Sequence, residues 1–494
     1  MTPMLSLAAV SAPAHLGADL LALSPVIVLF LAGMAVLLIE AVNRPKDKRV
    51  HLLTSMAALT AALALTVLVS SDASGSGFGG MVTFDLYGVF FNVAVLIACL
   101  LAVVVSPDYL ARIGMPIGEY YALTLFAAVG MLLMNMANDL IMLFIALEIM
   151  SISFYILCGM KRSDPRSVES GFKYFILGAF SSAVLLYGVA FIYGATGSVN
   201  LEAIREAIRY GVDMHLLYGG LALVIVGFGF KIAAVPFHMW TPDVYQGAPT
   251  SVTGLMATGV KAASFAAFCR VLVVGFMDVK DEWVTVLWVL AALTIVVGNL
   301  AALVQDDLKR ILAYSSVGHA GFLLMALVAV GDASQASGLL FYLLAYVFMS
   351  LGAFAVLTLF SFEGKDLTDV RGLSGLASER PWIAAGLSLC LLSLAGIPPT
   401  MGFVAKFYVF SAAVSAGYTG LAIIGAIGGA LGVYYYLRPI VLMYMSTDAS
   451  PVPIERSPTV NGVLGLACAA VLLFGLLPDL IVPLAKAGLA SLGG

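Results

Sequence analysis

The chain has 494 residues, of which 62% are hydrophobic and only 11% charged, with a formal net charge of −4 and a mean hydropathy of +1.06. Soluble domains average about a quarter charged residues, so this composition excludes an ordinary soluble protein and points to one that crosses a membrane many times. The apolar stretches are continuous rather than alternating, which argues against a β-barrel.

In chain order, the opening MTPMLSLAAVSAPAHLGADL lacks a basic n-region, so no cleaved signal peptide is expected. Fourteen spans follow, at approximately 24–42, 51–70, 84–105, 119–136, 139–159, 168–194, 216–240, 251–276, 283–304, 308–330, 336–362, 382–413, 417–444 and 459–478. Loop charge supports this number. If the NRPKDKR loop is cytoplasmic, alternate loops carry Arg112, Lys161/Arg162/Arg166, Lys309/Arg310, Lys365/Arg371/Arg380 and Arg438/Arg456, whereas the intervening loops and tail hold Arg205, Arg209, Lys280 and Lys486. That is 15 basic residues inside against 4 outside, the bias expected of cytoplasmic loops. It places both termini on the outer side. Loop 200–209, with Leu201, Ile204 and Ile208 on one helical face, reads as a short interfacial helix. The glycine cluster GAIGGALG (425–432) reads as a helix-packing surface.

The five cysteines (Cys99, Cys158, Cys269, Cys390, Cys468) fall inside apolar segments without CxxC spacing, and the histidines form no ligand pattern. Buried free thiols, not iron–sulfur, haem or zinc ligands, are therefore expected, and no redox centre or metal in this chain.

The remaining five of the 24 basic residues, Lys173, Lys231, Lys261, Arg270 and Lys406, lie within spans. Arg270 is near a span end and could snorkel. Glu148 joins the four lysines as an ionisable group inside a span. A central charge costs about 2.5–3.5 kcal/mol, so five cost roughly 12–17 kcal/mol, which rivals the whole stability of a typical domain, about 5–15 kcal/mol. One such residue could be a simple buried ion pair. Five, mostly in broken or adjacent helices, are better explained as a proton-conducting axis. Lysine suits that task because burial and a neighbouring carboxylate move its proton affinity in opposite directions; Glu148 approaching Lys231 would form a coupled pair that holds or releases a proton.

Two spans look interrupted. One holds GFGFKIAAVPFHMWTPDVYQGAPTSV (227–252), with Lys231 before Pro236; the other holds AGIPPTMGFVAKF, with Pro398 and Pro399 before Lys406. Proline removes a backbone donor, and the freed carbonyls in a membrane need protein or water partners. Two spans ahead of each break comes another ionisable residue, Glu148 and His319, at separations of 83 and 87 residues. This is an internal duplication of five-span units, the second necessarily inverted, and matched broken helices are the pointer to a transporter-type site. The expected organisation is a three-helix segment at 1–118, repeat one at 119–276 (helices 4–8), repeat two at 283–444 (helices 9–13), and helix 14 with its tail at 445–494. His319 and His238 are further candidates for proton transfer because imidazole titrates near neutral pH.

The wording KIAAVPFHMWTPDVYQGAPTSV, the following GLMATGVKAA and the later LAGIPPTMGFVAKFYVF resemble the antiporter-like proton-pumping subunits of respiratory NADH:quinone oxidoreductase (complex I), and among them the subunit N group. The resemblance runs from the first span to the last. It implies an all-α fold of about fourteen transmembrane helices with helices 7 and 12 broken. Residue by residue, Glu148 matches the helix-5 glutamate, Lys173 a helix-6 lysine, Lys231 and Lys261 the lysines of helices 7 and 8, and Lys406 that of helix 12; His319 occupies the central part of helix 10. The resemblance also implies that this chain supplies a proton path in the bacterial inner membrane. NAD, FMN, iron–sulfur clusters and quinone then sit in partner subunits, with other complex I membrane subunits, including a neighbouring antiporter-like one, and lipid as partners, and no nucleic acid. The competing readings are a cation/proton antiporter subunit, a membrane-bound hydrogenase subunit, or a purely structural anchor.

Overall fold

In a hydrocarbon layer every backbone N–H and C=O must be satisfied within the protein, and a helix does this within one segment. The computed structural model, which describes residues 16–43, 45, 47–69, 75–115, 118–330, 337–362, 364–446 and 456–492, follows that rule. Its helices are α1 (Leu16–Ala22), α2 (Ser24–Asn43), α3 (Arg49–Val69), α4 (Leu86–Arg112), α5 (Glu119–Met136), α6 (Leu140–Cys158), α7 (Pro165–Thr196), α8 (Leu201–Tyr210), α9 (Met214–Lys231), α10 (Thr241–Gly247) and α11 (Thr250–Leu255). They continue with α12 (Lys261–Arg270), α13 (Lys280–Leu303), α14 (Leu308–Val328), α15 (Ser337–Leu357), α16 (Leu376–Glu379), α17 (Pro381–Ala395), α18 (Met401–Ser415), α19 (Thr419–Met445), α20 (Pro458–Leu476) and α21 (Val482–Ala490). A π-helical turn at Met256–Val260 joins α11 to α12, and a second at Val271–Gly275 extends α12, making one continuous span, Thr250–Gly275.

Thirteen of the described helices are long and apolar enough to cross a membrane, and α17 with α18 adds one crossing made of two 15-residue halves. The fourteen expected crossings are therefore present. Residues 1–15, 44, 46, 70–74 and 447–455, which include the chain's beginning and parts of two basic loops, lie outside the described residues.

The crossings alternate between two recognisable ends. At one end the basic loops meet: Arg112 donates to Ser361 Oγ and the Thr358 carbonyl, Lys161 to the Gly364 carbonyl, and Arg438 pairs with Asp306. Arg438 holds the Asp306 carboxyl below the usual carboxylate range. A small hairpin, β3 (Ser361–Phe362) with β4 (Lys365–Asp366), sits at this end. At the opposite end a second hairpin, β1 (Gly75–Gly77) with β2 (Val82–Phe84), meets the α5–α6 and α7–α8 turns through Asn138 and Asn200. There too, Arg205 and Arg209 bind Asp278. The helix α8 forms where the interfacial helix was expected, with Leu201 and Ile204 buried.

The core is organised around α15, all 21 residues of which are buried. Close packing uses glycine where backbones touch. A methyl group on Gly402 would lie 1.9 Å from the Ser393 carbonyl oxygen, so α18 can start against α17 only with glycine there. In the 425–432 cluster, Gly428 admits Ile295 from α13 in the same way, which supports a packing role.

Arg270 does not snorkel. It is fully buried, gripping Asp85 with both terminal nitrogens at 2.6 and 2.9 Å and donating to the Asn135 carbonyl at 2.9 Å. Its guanidinium lies over the Tyr87 ring, 5.0 Å from the centroid. Asp85 meanwhile caps α4 by accepting from Gly88 N. One bidentate pair thus ties α4, α5 and α12 together, and a partner 185 residues away in sequence replaces the water that snorkelling would have sought.

Removing one member leaves a buried charge without its partner, so Asp85→Asn or Arg270→Met should cost about 3–5 kcal/mol and the apolar double replacement much less. Thermal melting of the detergent-solubilised protein checks this; equal losses in the single and double variants would contradict it. Gly402→Ala should destabilise by about 1–3 kcal/mol through overpacking, read in the same melting assay.

Candidate proton-transfer line

Both broken spans are built by the same local chemistry. After Lys231, Ala233 takes a positive φ of 61°, its N–H binds the Phe230 carbonyl, and Ala234 N–H binds that of Gly229. After Ala395, Gly396 takes φ 84°, its N–H binds the Ser393 carbonyl, and Ile397 N–H binds that of Leu392. These are Schellman closures, which satisfy the last carbonyls of a helix with the chain's own turn. A cis-proline follows three residues later in each, Pro236 and Pro399. The helix α9 therefore stops at Lys231, well short of the expected residue 240, because the closure rather than the proline ends it. Trp240 also donates from Nε1 to the Phe230 carbonyl at 3.0 Å, and Val235 N–H donates to Thr294 Oγ1 of α13 at 2.9 Å. Hence the first break is pinned to the second half of the protein.

Four described lysines are buried; besides Lys309 of the basic end at 1%, they are Lys231 at 3%, Lys261 at 2% and Lys406 at 8% exposure. Lys231 Nζ donates to Ser151 Oγ at 2.7 Å and lies 3.4 Å from the Tyr155 hydroxyl. The Lys231 ammonium lies 5.5 and 5.7 Å from the centroids of Tyr155 and Tyr174, a cation–π setting. Lys261, directly after the π-helical turn, donates to both the carbonyl and the hydroxyl of Ser316. Lys406 donates to the Leu394 and Ala395 carbonyls at 3.1 and 2.8 Å, placing a cation at the negative end of α17.

The expected direct pair of Glu148 with Lys231 does not form: among the described residues no carboxylate oxygen lies within 4.0 Å of Lys231. Glu148, half-buried on α6, instead accepts from Ser182. Ser151, one helical turn beyond Glu148, occupies the place of direct contact.

The links between these stations are hydroxyl and aromatic side chains. Tyr174 stacks on Trp240 (centroids 4.7 Å apart), and Trp240 meets Tyr245 at 6.1 Å. Beyond Lys261 comes Tyr346, whose ring is 5.7 Å from the ammonium and 4.9 Å from the His319 ring. His319 presents both nitrogens to hydroxyls: Nδ1 to Tyr342 at 2.7 Å and Nε2 to Tyr436 at 3.1 Å, with Tyr436 in turn bound to Ser315. An imidazole so flanked can accept a proton at one nitrogen while giving one up at the other. Phe322 lies between this imidazole and Lys406, its ring centroid 6.3 Å from that of His319 and 5.2 Å from Lys406 Nζ. The candidate stations are Glu148, Lys231, Lys261, His319 and Lys406.

Two expected members lie elsewhere. Lys173, expected well inside a span, is 38% exposed near the basic end and paired with Glu169 at 2.6 Å and Asp243 at 2.8 Å; Asp243 also binds Arg310 at 2.9 Å. Its contacts anchor α10, the short piece after the break. His238 sits half-buried within the break, beside the exposed Pro236 and Met239, and makes no contact with the line lysines among the described hydrogen bonds. Residues that sequence reasoning missed are Ser151, Tyr155, Ser316, Tyr342, Tyr346 and Tyr436. Their signal was a hydroxyl one helical turn from, or one helix across from, an already suspected ionisable group.

Residues 137–432 match the family model for the transmembrane region of NADH:quinone oxidoreductase/Mrp antiporter proteins. A protein of Trichlorobacter lovleyi named NADH-quinone oxidoreductase subunit N is 43% identical over 94% of this chain and 95% of its own length. The chain belongs to the NADH-quinone oxidoreductase subunit N family. Another member, from Myxococcus xanthus, is 42% identical over 94% of this chain and 96% of its own. Among solved structures, a chain of respiratory complex I from Thermus thermophilus superposes with a TM-score of 0.81 at 35% identity, covering 94% of this chain and 99% of that one. A chain of the Mrp complex from Dietzia shares the fold alone, with a TM-score of 0.82 at 22% identity over 96% of this chain and 97% of that one.

Because Tyr342 and Tyr436 fix His319 by both ring nitrogens, Tyr436→Phe should disturb the line without opening a cavity. The expected outcome is a drop in NADH-linked proton pumping with complex assembly and melting temperature unchanged; unchanged pumping would remove Tyr436 from the line.

Proposed function

We propose that this chain is a membrane subunit of a proton-translocating NADH:quinone oxidoreductase and provides one of its proton paths. Electron transfer from NADH through FMN and iron–sulfur clusters to quinone belongs to partner subunits, and a neighbouring antiporter-like subunit lies beside this one in the membrane. The observation that carries the reading is the succession of ionisable groups from half-buried Glu148 through buried Lys231, Lys261 and His319 to Lys406, met by hydroxyls and carbonyls, with Lys231 and Lys406 at two matching helix breaks. Membership of the subunit N family favours this enzyme over a cation/proton antiporter, whose likeness to the chain is one of fold.

In this reading, residues 119–276 and 283–444 are two inverted five-helix units. The basic loops face the cytoplasm of a bacterial cell, with both termini outside the inner membrane. Protons enter from the basic end toward Lys231, cross through Lys261 and His319, and leave from Lys406. Lys406 is nine residues from the outer end of α18, or about 14 Å along the helix axis. Glu148 acts on Lys231 electrostatically through Ser151: a negative Glu148 favours the ammonium, and its neutralisation or withdrawal lets the desolvated lysine release its proton. Lys173 positions α10 and is not a station on the path. His238 is left out of the path as well.

Lys231→Ala should lower proton pumping in proteoliposomes by at least about tenfold, the lower part of the range for loss of an acid–base group, and NADH oxidation should fall with it if the two are coupled. Lys173→Gln should leave pumping within about twofold, as expected for a half-exposed ion pair worth little. Assembly is verified on native gels in both cases. Full pumping by the assembled Lys231→Ala complex would refute the proposal and leave a structural anchor.

A further inference from the structure

Lys261 reaches Ser316 from a neighbouring helix, so their contact depends on how the span Thr250–Gly275 is placed along its axis against α14. Both helices start at the basic end. Thr250 stands 11 residues before Lys261, and Lys309 stands 7 before Ser316, which is about 16 and 10 Å of helical rise. The difference, about 6 Å, is the reach of a lysine side chain, and such a chain leans back toward the N-terminus of its helix. Level starting points at the basic end therefore bring the ammonium to Ser316.

One carboxylate levels them. Asp366, at the end of β4, receives on Oδ2 the Thr250 hydroxyl at 2.7 Å, the Tyr109 hydroxyl at 2.9 Å and Lys309 Nζ at 3.4 Å. Tyr109, buried on α4, accepts in turn from Thr250 N–H at 2.6 Å. Lys309 also donates at 2.6 Å to the Ala248 carbonyl, in the joint between α10 and α11. The stretch after Asp366 is laced to the start of α14 by main-chain bonds. Leu308 N–H donates to the Thr368 carbonyl at 2.7 Å, and Val370 N–H to the Asp306 carbonyl at 2.9 Å. Asp366 is thus fastened to α14 through the backbone and holds α11 through Thr250.

We propose that Asp366 is a positioning residue for Lys261: it sets the axial register of the Lys261-bearing span against α14 and so keeps the ammonium on the Ser316 hydroxyl. The role rests on the proton-path reading above and deepens it. Asp366 acts through Thr250, Tyr109 and Lys309, at the far end of the helices whose middles carry the chemistry. The task needs an oxygen at that place, not a transferable proton. An amide oxygen accepts hydrogen bonds as a carboxylate oxygen does, so asparagine should serve nearly as well, whereas alanine frees the two spans to slide. Displacing a reacting group by about 1 Å can cost as much as about 100-fold in rate; a partial slip should cost about fivefold.

The test measures proton pumping and the kcat and KM of NADH oxidation in complete complexes, their assembly checked on native gels. The chains compared carry Asp366→Ala, Asp366→Asn, Ser316→Ala, or Asp366→Ala with Ser316→Ala, and Lys231→Ala serves as the reference for the proton path. Asp366→Ala and Ser316→Ala should each lower pumping and kcat about fivefold with KM for NADH unchanged. Asp366→Asn should keep at least about half of both. The double variant should be no lower than the lower single one, because both changes remove the same contact. Unaltered pumping in Asp366→Ala or in Ser316→Ala overturns the proposal. So does an equal loss in Asp366→Asn and Asp366→Ala, which would make Asp366 a proton carrier. Losses that multiply to about 25-fold in the double variant also overturn it, since Asp366 would then act elsewhere. Should Asp366→Ala fail to assemble, Thr250→Val, of the same shape but without the hydroxyl, takes its place in the same comparison. Full pumping by Lys231→Ala refutes the proton path and this role with it; loss there beside unaltered Asp366→Ala refutes only the role of Asp366.

Discussion

An ammonium group in the interior of a membrane protein must be met by groups of the protein itself, and the kind of group that meets it decides what it can do. Lys231, Lys261 and Lys406 are met by hydroxyls and backbone carbonyls. Arg270, equally buried, is met by the Asp85 carboxylate, while buried Lys309 has the Ala248 carbonyl at 2.6 Å and the Asp366 carboxylate at 3.4 Å. A carboxylate partner locks a proton onto a base and ties elements together. A neutral partner desolvates the charge without compensating it fully, which keeps the proton transferable. Between Arg270 and the three lysines, all buried, the difference lies in the partner: a carboxylate ties Arg270 into the structure, whereas neutral groups meet Lys231, Lys261 and Lys406.

The helix breaks make such neutral partners available. Closing α9 and α17 with their own turns satisfies most of the freed backbone and still leaves carbonyls free to serve as acceptors, as those of Leu394 and Ala395 do for Lys406. The breaks also bring distant parts together, since the loop after Lys231 is fastened to α13 through Thr294. With α15 buried on every side between them, Tyr342 and Tyr346 can face His319 from the centre of the bundle. Rigid packing at contacts such as Gly402 against Ser393 keeps these stations in place. Tenths of an ångström there would be felt along the line, because close-packed interiors transmit displacement.

Much of this was legible in the sequence. The fourteen crossings followed from hydropathy and loop charge, and the breaks from Pro236 and Pro398/Pro399. Most of the ionisable stations stood out because a charge in an apolar run is costly. What was not legible was partnership. Ser151, Ser316 and Tyr436 look like ordinary residues of membrane helices, and only the fold shows that each meets an ionisable group. The snorkelling open to Arg270 is absent for the same reason, its partner Asp85 being in another span. Lys173 looked central because its helix is 32 residues long; it stands in the first third of that helix, within reach of Asp243.

The central claim is that the interior line from Lys231 to Lys406 can be hydrated enough to carry protons. A high-resolution electron cryomicroscopy map of the assembled complex, resolving ordered water, tests this most directly. The account predicts water molecules bridging Lys231, Lys261, His319 and Lys406 where hydroxyls do not already touch them. A dry interior, with each lysine sealed in its own separate contacts, would contradict it.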